Sequence, residues 1–239
     1  MRGTIKDLTI CSRKCILYIP GKYDAAEMRY PVMYVNGEDD ISNVMKNVEG
    51  HFDSDCREFI LLSIQSDNWN DDYTPWTAPP LSKDGDLFGG GAAEYIDFLL
   101  NDIKPFMDAN YKTKPEPCNT ALIGYSLGGL AALYALYKTP AFGKIGSLSG
   151  SLWYDGWMEF MKSHTPVNTD SKIYLSLGKK EECTHNRYMK QVGDCTREAF
   201  EIFLGQLSCR ENITLKWNDG GHFTDIPDRF AKALLWIMS

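Results

Sequence analysis

Gly124-Tyr125-Ser126-Leu127-Gly128 fits Gly-x-Ser-x-Gly, and Gly129 follows at once. A serine hydroxyl in this setting acts as a nucleophile when a neighbouring base removes its proton. The spacing has a mechanical reason. The serine occupies a sharp strand-to-helix turn, and flanking glycines let the two elements approach with no Cβ between them. The pentapeptide alone is weak evidence, and an incidental serine in a glycine-rich turn is the plainer alternative. Here, however, it follows the apolar run Thr120–Ile123 and precedes Leu130-Ala131-Ala132-Leu133, the context the motif requires.

The chain holds four histidines that could serve as the base. His51 and His164 lie in polar segments, and neither follows a core strand. His185 comes soon after an apolar run and competes. His222 follows Ile213–Trp217 through Asn218-Asp219-Gly220-Gly221 and leads into the last helix, which satisfies the chain order serine, acid, histidine. His222 is the expected base. The acid must orient the imidazole and stabilise its charged form. Glu181 and Glu182, in the turn after Lys172–Leu177, are the candidates, with Asp194, Asp219 and Asp225 behind them. An oxyanion hole is expected from the backbone N–H of Leu127 and a second N–H in the turn after Val35, either Gly37 or Glu38.

The elements that must position these residues follow from periodicity. Thr4–Ile10 and Lys14–Ile19 read as two antiparallel strands. The apolar runs Pro31–Val35, Phe59–Ile64, Thr120–Ile123, Lys144–Leu148, Lys172–Leu177 and Ile213–Trp217 read as further strands. Helices are expected over Ile41–Val48, Ala92–Asn110, Leu130–Tyr137, Gly193–Leu207 and Pro227–Met238. The alternation predicts an α/β protein with a mostly parallel sheet covered on both faces. Sites in such sheets lie at the carboxyl ends of strands, where the turns after Val35, Ile123, Leu177 and Trp217, with Ser126, Glu181 and His222, fall. Ser66–Gly91 has no periodicity and carries Trp69, Tyr73 and Trp76. A loop of that length is expected to be a functional cap over the site.

No linker or repeat divides the 239 residues, so one domain over 1–239 is expected, with 66–91 as its cap loop. The formal net charge of -7, with basic residues scattered, argues against nucleic acid and anionic membrane as partners. The apolar stretch Ala121–Tyr137 is shorter than the roughly 20 residues of a membrane span. With no apolar signal-like segment at the N-terminus, the seven cysteines read as free thiols and the expected location is cytoplasmic. No zinc-ligand spacing occurs, and neither a metal nor an organic cofactor is implied.

Tyr34-Val35-Asn36-Gly37, the elbow Gly124–Gly129, Ser149-Gly150-Ser151-Leu152-Trp153 and Gly220-Gly221-His222 resemble the family of esterase D, enterochelin esterases and feruloyl esterase-like enzymes. The likeness runs from about Tyr30 to the C-terminus. It implies an α/β-hydrolase core, Ser126 and His222 in catalysis, and an acidic residue three places after Gly178, which is Glu181. It also implies Gly37 in the oxyanion turn and Trp153 beside the pocket. The expected function is that of a serine carboxylesterase acting on a small-molecule ester through an acyl-enzyme. Trp69, Trp76 and Trp153 would form an aromatic platform for a sugar or aryl group. Hydrolysis of a siderophore trilactone is the alternative, and a non-catalytic binding module on a hydrolase scaffold is the rival from another class.

Overall fold

The computed structural model describes residues 1–25, 27–52, 54–83 and 85–239. Among the described residues, eight strands form one sheet in the order β1-β2-β4-β3-β5-β6-β7-β8. β1 (Thr4–Ile10) and β2 (Arg13–Ile19) make a hairpin. Its two turn residues, Cys11 and Ser12, both take positive φ, which matches a tight loop to the twist of the strands. β2 runs antiparallel to β4 (Ile60–Ile64). Beyond it every pairing is parallel, through β3 (Val32–Asn36), β5 (Thr120–Tyr125), β6 (Lys144–Leu148), β7 (Lys172–Gly178) and β8 (Ile213–Asn218). β3 through β6 are buried at every residue, as continuous apolar runs in a doubly covered parallel sheet should be.

One face is packed by α1 (Ile41–Val48) and α8 (Ile226–Met238). In α1 the buried residues are Ile41, Val44, Met45 and Val48, the stripe expected of an amphipathic helix. The other face carries α3 (Ala92–Phe98), α4 (Lys104–Asn110), α5 (Leu127–Lys138), α6 (Trp157–Ser163) and α7 (Val192–Gln206). The helix expected over Ala92–Asn110 widens into a π turn at Leu99–Ile103, just before Pro105. Proline lacks the N–H that would reach back four residues, and the wider turn accommodates it. α5 begins at Leu127, three residues earlier than expected, and its first ten residues are all buried. That burial explains its apolar composition, and among the described residues no helix is long and apolar enough to cross a membrane.

α6 and the single turn α2 (Trp69–Asp72) are not expected from periodicity. The strand register brings the candidate residues together. Asn36 at the end of β3 lies opposite Gly124 of β5, and Leu148 of β6 lies opposite Tyr125. The turns after β3, β5, β6, β7 and β8 therefore emerge side by side at one edge.

Candidate active site

Ser126 stands between β5 and α5 with φ 56° and ψ −122°, a conformation that side-chain-bearing residues rarely adopt. Such strain costs on the order of 1–3 kcal/mol and persists only where the surroundings over-determine it. Here its N–H donates to Leu148 O at 3.0 Å, and its carbonyl accepts from Gly129, Leu130 and Ser151 N–H groups. A Cβ on Gly124 would lie 2.1 Å from Gly128 O, so strand and helix can meet this closely only at a glycine. Buried Asn36 locks the same corner. Its Nδ2 donates to Gly128 O at 2.9 Å, and its Oδ1 accepts from Tyr95 Oη at 2.9 Å. Ser126 Oγ has Ser151 Oγ 3.4 Å away as its polar side-chain neighbour.

At the next strand ends, His222 Nδ1 lies 2.7 Å from Glu181 Oε2. A carboxylate only accepts, so Nδ1 carries a proton, and in the neutral ring Nε2 keeps the lone pair. The other carboxylate oxygen, Oε1, accepts from Ser149 Oγ and Gly178 N–H at 2.7 Å each and from Arg229 Nη1 at 2.9 Å. Burial pushes the Glu181 pKa up, but the hydrogen bonds from His222, Ser149 and Gly178 outweigh it and hold the carboxyl below the ordinary range. The rival acids face elsewhere. Glu182 makes a two-pronged pair with Arg197, Asp219 pairs with Lys179, and Asp194 with Arg197. Among the histidines, His51 pairs with Asp55, His164 stacks on Phe160, and His185 is exposed.

Ser149 and Arg229 join the site without having been singled out by sequence. Ser149 has φ 47° and sits inside the Ser-Gly-Ser-x-Trp segment, the one signal that pointed to it. Arg229 sits on an amphipathic helix, where an arginine ordinarily reads as solvent-facing.

In the turn after β3 the two expected oxyanion donors, Gly37 and Glu38, stand differently. Gly37, at φ 70°, donates its N–H to Ile64 O at 2.9 Å, extending the β3–β4 ladder by one residue. That donor is already engaged, which argues against Gly37 as the second oxyanion group. The N–H groups of Glu38 and Leu127 have no such bond within the described residues. Glu38 and Ser126 each lie two residues past the last paired residues of β3 and β5, Asn36 and Gly124.

The three tryptophans part company. Trp69 is 37% exposed and covers the oxyanion turn, since a Cβ on Gly37 would lie 2.5 Å from its ring. Trp153 lines a small pocket with Leu81, Phe88, Tyr154 and Tyr188, aromatic on several sides and carrying Asp155 as well. It lies two residues past Ser151, whose hydroxyl neighbours that of Ser126. Trp76 does not fit the platform role. Its indole N–H donates to Asp155 O at 2.8 Å, and its ring packs among Tyr134, Tyr154, Trp157 and Phe160. With its faces occupied it anchors the loop.

Comparison with known proteins agrees with this architecture. The family model described as Putative esterase matches residues 8–203. Uncharacterized protein YbbA of Bacillus subtilis (strain 168) is 28% identical over 242 residues, covering 99% of this chain and 97% of its own. The siderophore enterobactin esterase of Emericella nidulans is 34% identical over 86 residues, 36% of this chain and 28% of that protein's length. The structure of an IroE-like serine hydrolase from Shewanella oneidensis superposes with a TM-score of 0.79 at 18% identity, over 99% of this chain and 80% of that one, a likeness of fold. With a strained serine elbow on an α/β-hydrolase sheet and a family match over most of its length, the chain belongs to the Putative esterase family and is a carboxylic ester hydrolase.

Proposed function

We propose that Ser126, His222 and Glu181 form the catalytic relay of an esterase acting on aryl or carbohydrate esters. The observation that carries this reading is the 2.7 Å hydrogen bond from His222 Nδ1 to Glu181, at the strand edge that presents the strained serine. Ser126 Oγ attacks the ester carbonyl and gives its proton to His222 Nε2, and the carbonyl oxygen becomes an oxyanion. The N–H groups of Leu127 and Glu38 hold that oxyanion, and the N-terminus of α5 adds positive potential. Collapse expels the alcohol, which takes the proton from His222. Water then gives its proton to His222 and attacks the acyl-enzyme. A second collapse releases the carboxylic acid and restores the Ser126 hydroxyl. Ser126 and His222 share no hydrogen bond within the described residues, and such contacts commonly tighten only when substrate binds.

Two features support an aryl or sugar ester. The pocket beside Trp153 is walled by aromatic rings and suits a flat apolar group, and Trp69 offers a further exposed face over the oxyanion turn. A siderophore ester is the second reading, favoured by the name of the Emericella relative. Glu38, Asp39 and Asp40 at the oxyanion turn oppose an anionic ferric chelate. The test is fluorophosphonate labelling with the modified residue located by mass spectrometry, followed by turnover of feruloyl esters, acetylated sugars and cyclic trilactones. Label on Ser126 and preference for the first two classes are expected. Label elsewhere overturns the relay, and preference for the trilactone selects the second reading.

A further inference from the structure

Arg229 is 1% exposed, and a guanidinium so buried needs matched charge and well-placed acceptors. Its contacts reach four of the strand ends that build the site. Nη1 donates to Tyr125 Oη at 2.9 Å, to Ser149 Oγ at 2.7 Å and to Glu181 Oε1 at 2.9 Å. Nη2 donates to Gly221 O at 2.7 Å and to Asp219 O at 3.3 Å. Tyr125 Oη in turn donates to the carbonyl of His222 itself. One side chain thus ties together the residue before the serine, the turns after β6 and β7, and the turn that carries the histidine.

We propose that Arg229 is a positioning residue of the relay, holding Glu181 as an anion aimed at His222 and fixing the Asp219–His222 turn against it. The proposal rests on the reading of Ser126, His222 and Glu181 as the relay. It assigns two separable jobs to one group. The planar fork fixes geometry, because it addresses the Glu181 carboxylate and two backbone carbonyls at once. The positive charge keeps the carboxylate ionised as pH falls, opposing the burial that would neutralise it.

Glu181 is faced by His222 from the turn after β8, by Tyr125 from β5 and by Arg229 from α8. On its own turn Lys179 is paired with Asp219 and Glu182 with Arg197, while the Lys180 and Cys183 side chains are exposed. Arg229 is the cation in direct contact with the carboxylate. Removing it takes a positive charge from beside the hydrogen-bonded Glu181–His222 pair, so the pair should take up a proton at a higher pH and activity should fail earlier on the acid side.

The experiment compares wild type with Arg229→Met, Arg229→Lys and Ser149→Ala, reading kcat, KM, their pH profiles and Tm on an activated aryl ester. Arg229→Met should lose about 10²-fold in kcat with KM changed less than about threefold, and the acid limb should rise by about one pH unit. Arg229→Lys should return the limb to within about 0.3 unit of wild type while kcat stays about tenfold low, which separates charge from geometry. Ser149→Ala, which leaves Arg229 in place but removes another donor to Glu181 Oε1, should also move the limb upward. A folded Arg229→Met with an unmoved limb overturns the proposal, and so does an Arg229→Lys limb displaced like that of Met. If Arg229→Met does not fold, the Lys and Ser149→Ala profiles decide by the same criteria. Failure of the relay reading itself shows separately, as a Glu181→Gln variant with wild-type kcat.

Discussion

At the carboxylate end of the site, the Glu181 side chain is 4% exposed, one oxygen accepts three hydrogen bonds and the other faces His222. At the serine end, Ser126 Oγ has one hydroxyl at 3.4 Å, Trp69 is 37% exposed, and Phe223 beside the histidine is 85% exposed. The difference follows from what each end must do. Charges that act by position work best when nothing around them reorganises during the reaction. Groups that receive a substrate must instead keep donors and apolar faces unoccupied until it arrives. The loss of a group at the closed end should therefore disturb both pH dependence and stability. Loss at the open end should disturb rate alone.

The sharpest way to break this contrast is at the nucleophile. Ser126→Ala should lower kcat/KM for an activated aryl ester by about 10⁴-fold or more, with the melting temperature near wild type. Substantial residual turnover would mean that the hydroxyl at the open end is not the reacting group.

The next largest effect lies at the closed end. Glu181→Gln should reduce kcat by about 10²–10⁴-fold, whereas Glu182→Gln, whose partner Arg197 is half exposed, should change it by less than about threefold. Near-wild-type rates in both variants would point to a serine–histidine dyad. Glu181 also predicts a pH signature in stability. Its carboxyl is held below the ordinary range, so its stabilising contribution is full above the unfolded value of about 4.3 and is lost as pH falls through the folded value. Urea midpoints of Glu181→Gln should therefore fall less steeply than those of wild type as the pH drops below about 4.5.

Why some of this is legible in sequence and some is not is a matter of range. β3, β4, β5 and β6 are short apolar runs buried on both faces, and Gly37, Gly124 and Gly150 stand at or near the ends of β3, β5 and β6, local features that composition reveals. Ser126 inherits its position from the turn after β5, and His222 from the Gly220-Gly221 turn after β8. α6 leaves no periodic signal because it is only seven residues long and enters from Gly156 in the left-handed region. Arg229 is invisible for a different reason. Its burial depends on where α8 docks against the ends of β5 and β7, a tertiary fact with no local trace. The Gly37 donor misleads in the same way. Its bond to Ile64 exists only because Asn36 lies opposite Ile64 in the β3–β4 register, and a shift of one residue would free it.

Trp76 tests the boundary between the two regions. Its indole is hydrogen bonded and ringed by aromatics, so Trp76→Ala should destabilise the fold by about 3–5 kcal/mol, read from urea unfolding, and lower activity on large and small esters alike. Unchanged stability would return Trp76 to the substrate side.

The smallest expected effect, and the one that most sharpens the contrast, belongs to Trp69. Its ring lies against Gly37 and makes an edge contact with Tyr73 at 4.8 Å between centroids, yet it stays 37% exposed. That combination leaves the ring packed on one side against Gly37 and Tyr73 and partly open to solvent beside the oxyanion turn. A bulky aryl or sugar ester bound with its carbonyl oxygen at the Leu127 and Glu38 N–H groups would come within reach of the open part of the ring. Trp69→Ala should then weaken kcat/KM for such an ester by about 1–3 kcal/mol, roughly 5- to 150-fold, and leave turnover of a small acetate ester within about twofold. The melting temperature should fall by only a few degrees, because the lost contacts are half solvated already. Equal losses on the two esters together with a drop in stability like that of Trp76→Ala would place Trp69 with the anchors, leaving Trp153 as the aromatic that meets the substrate.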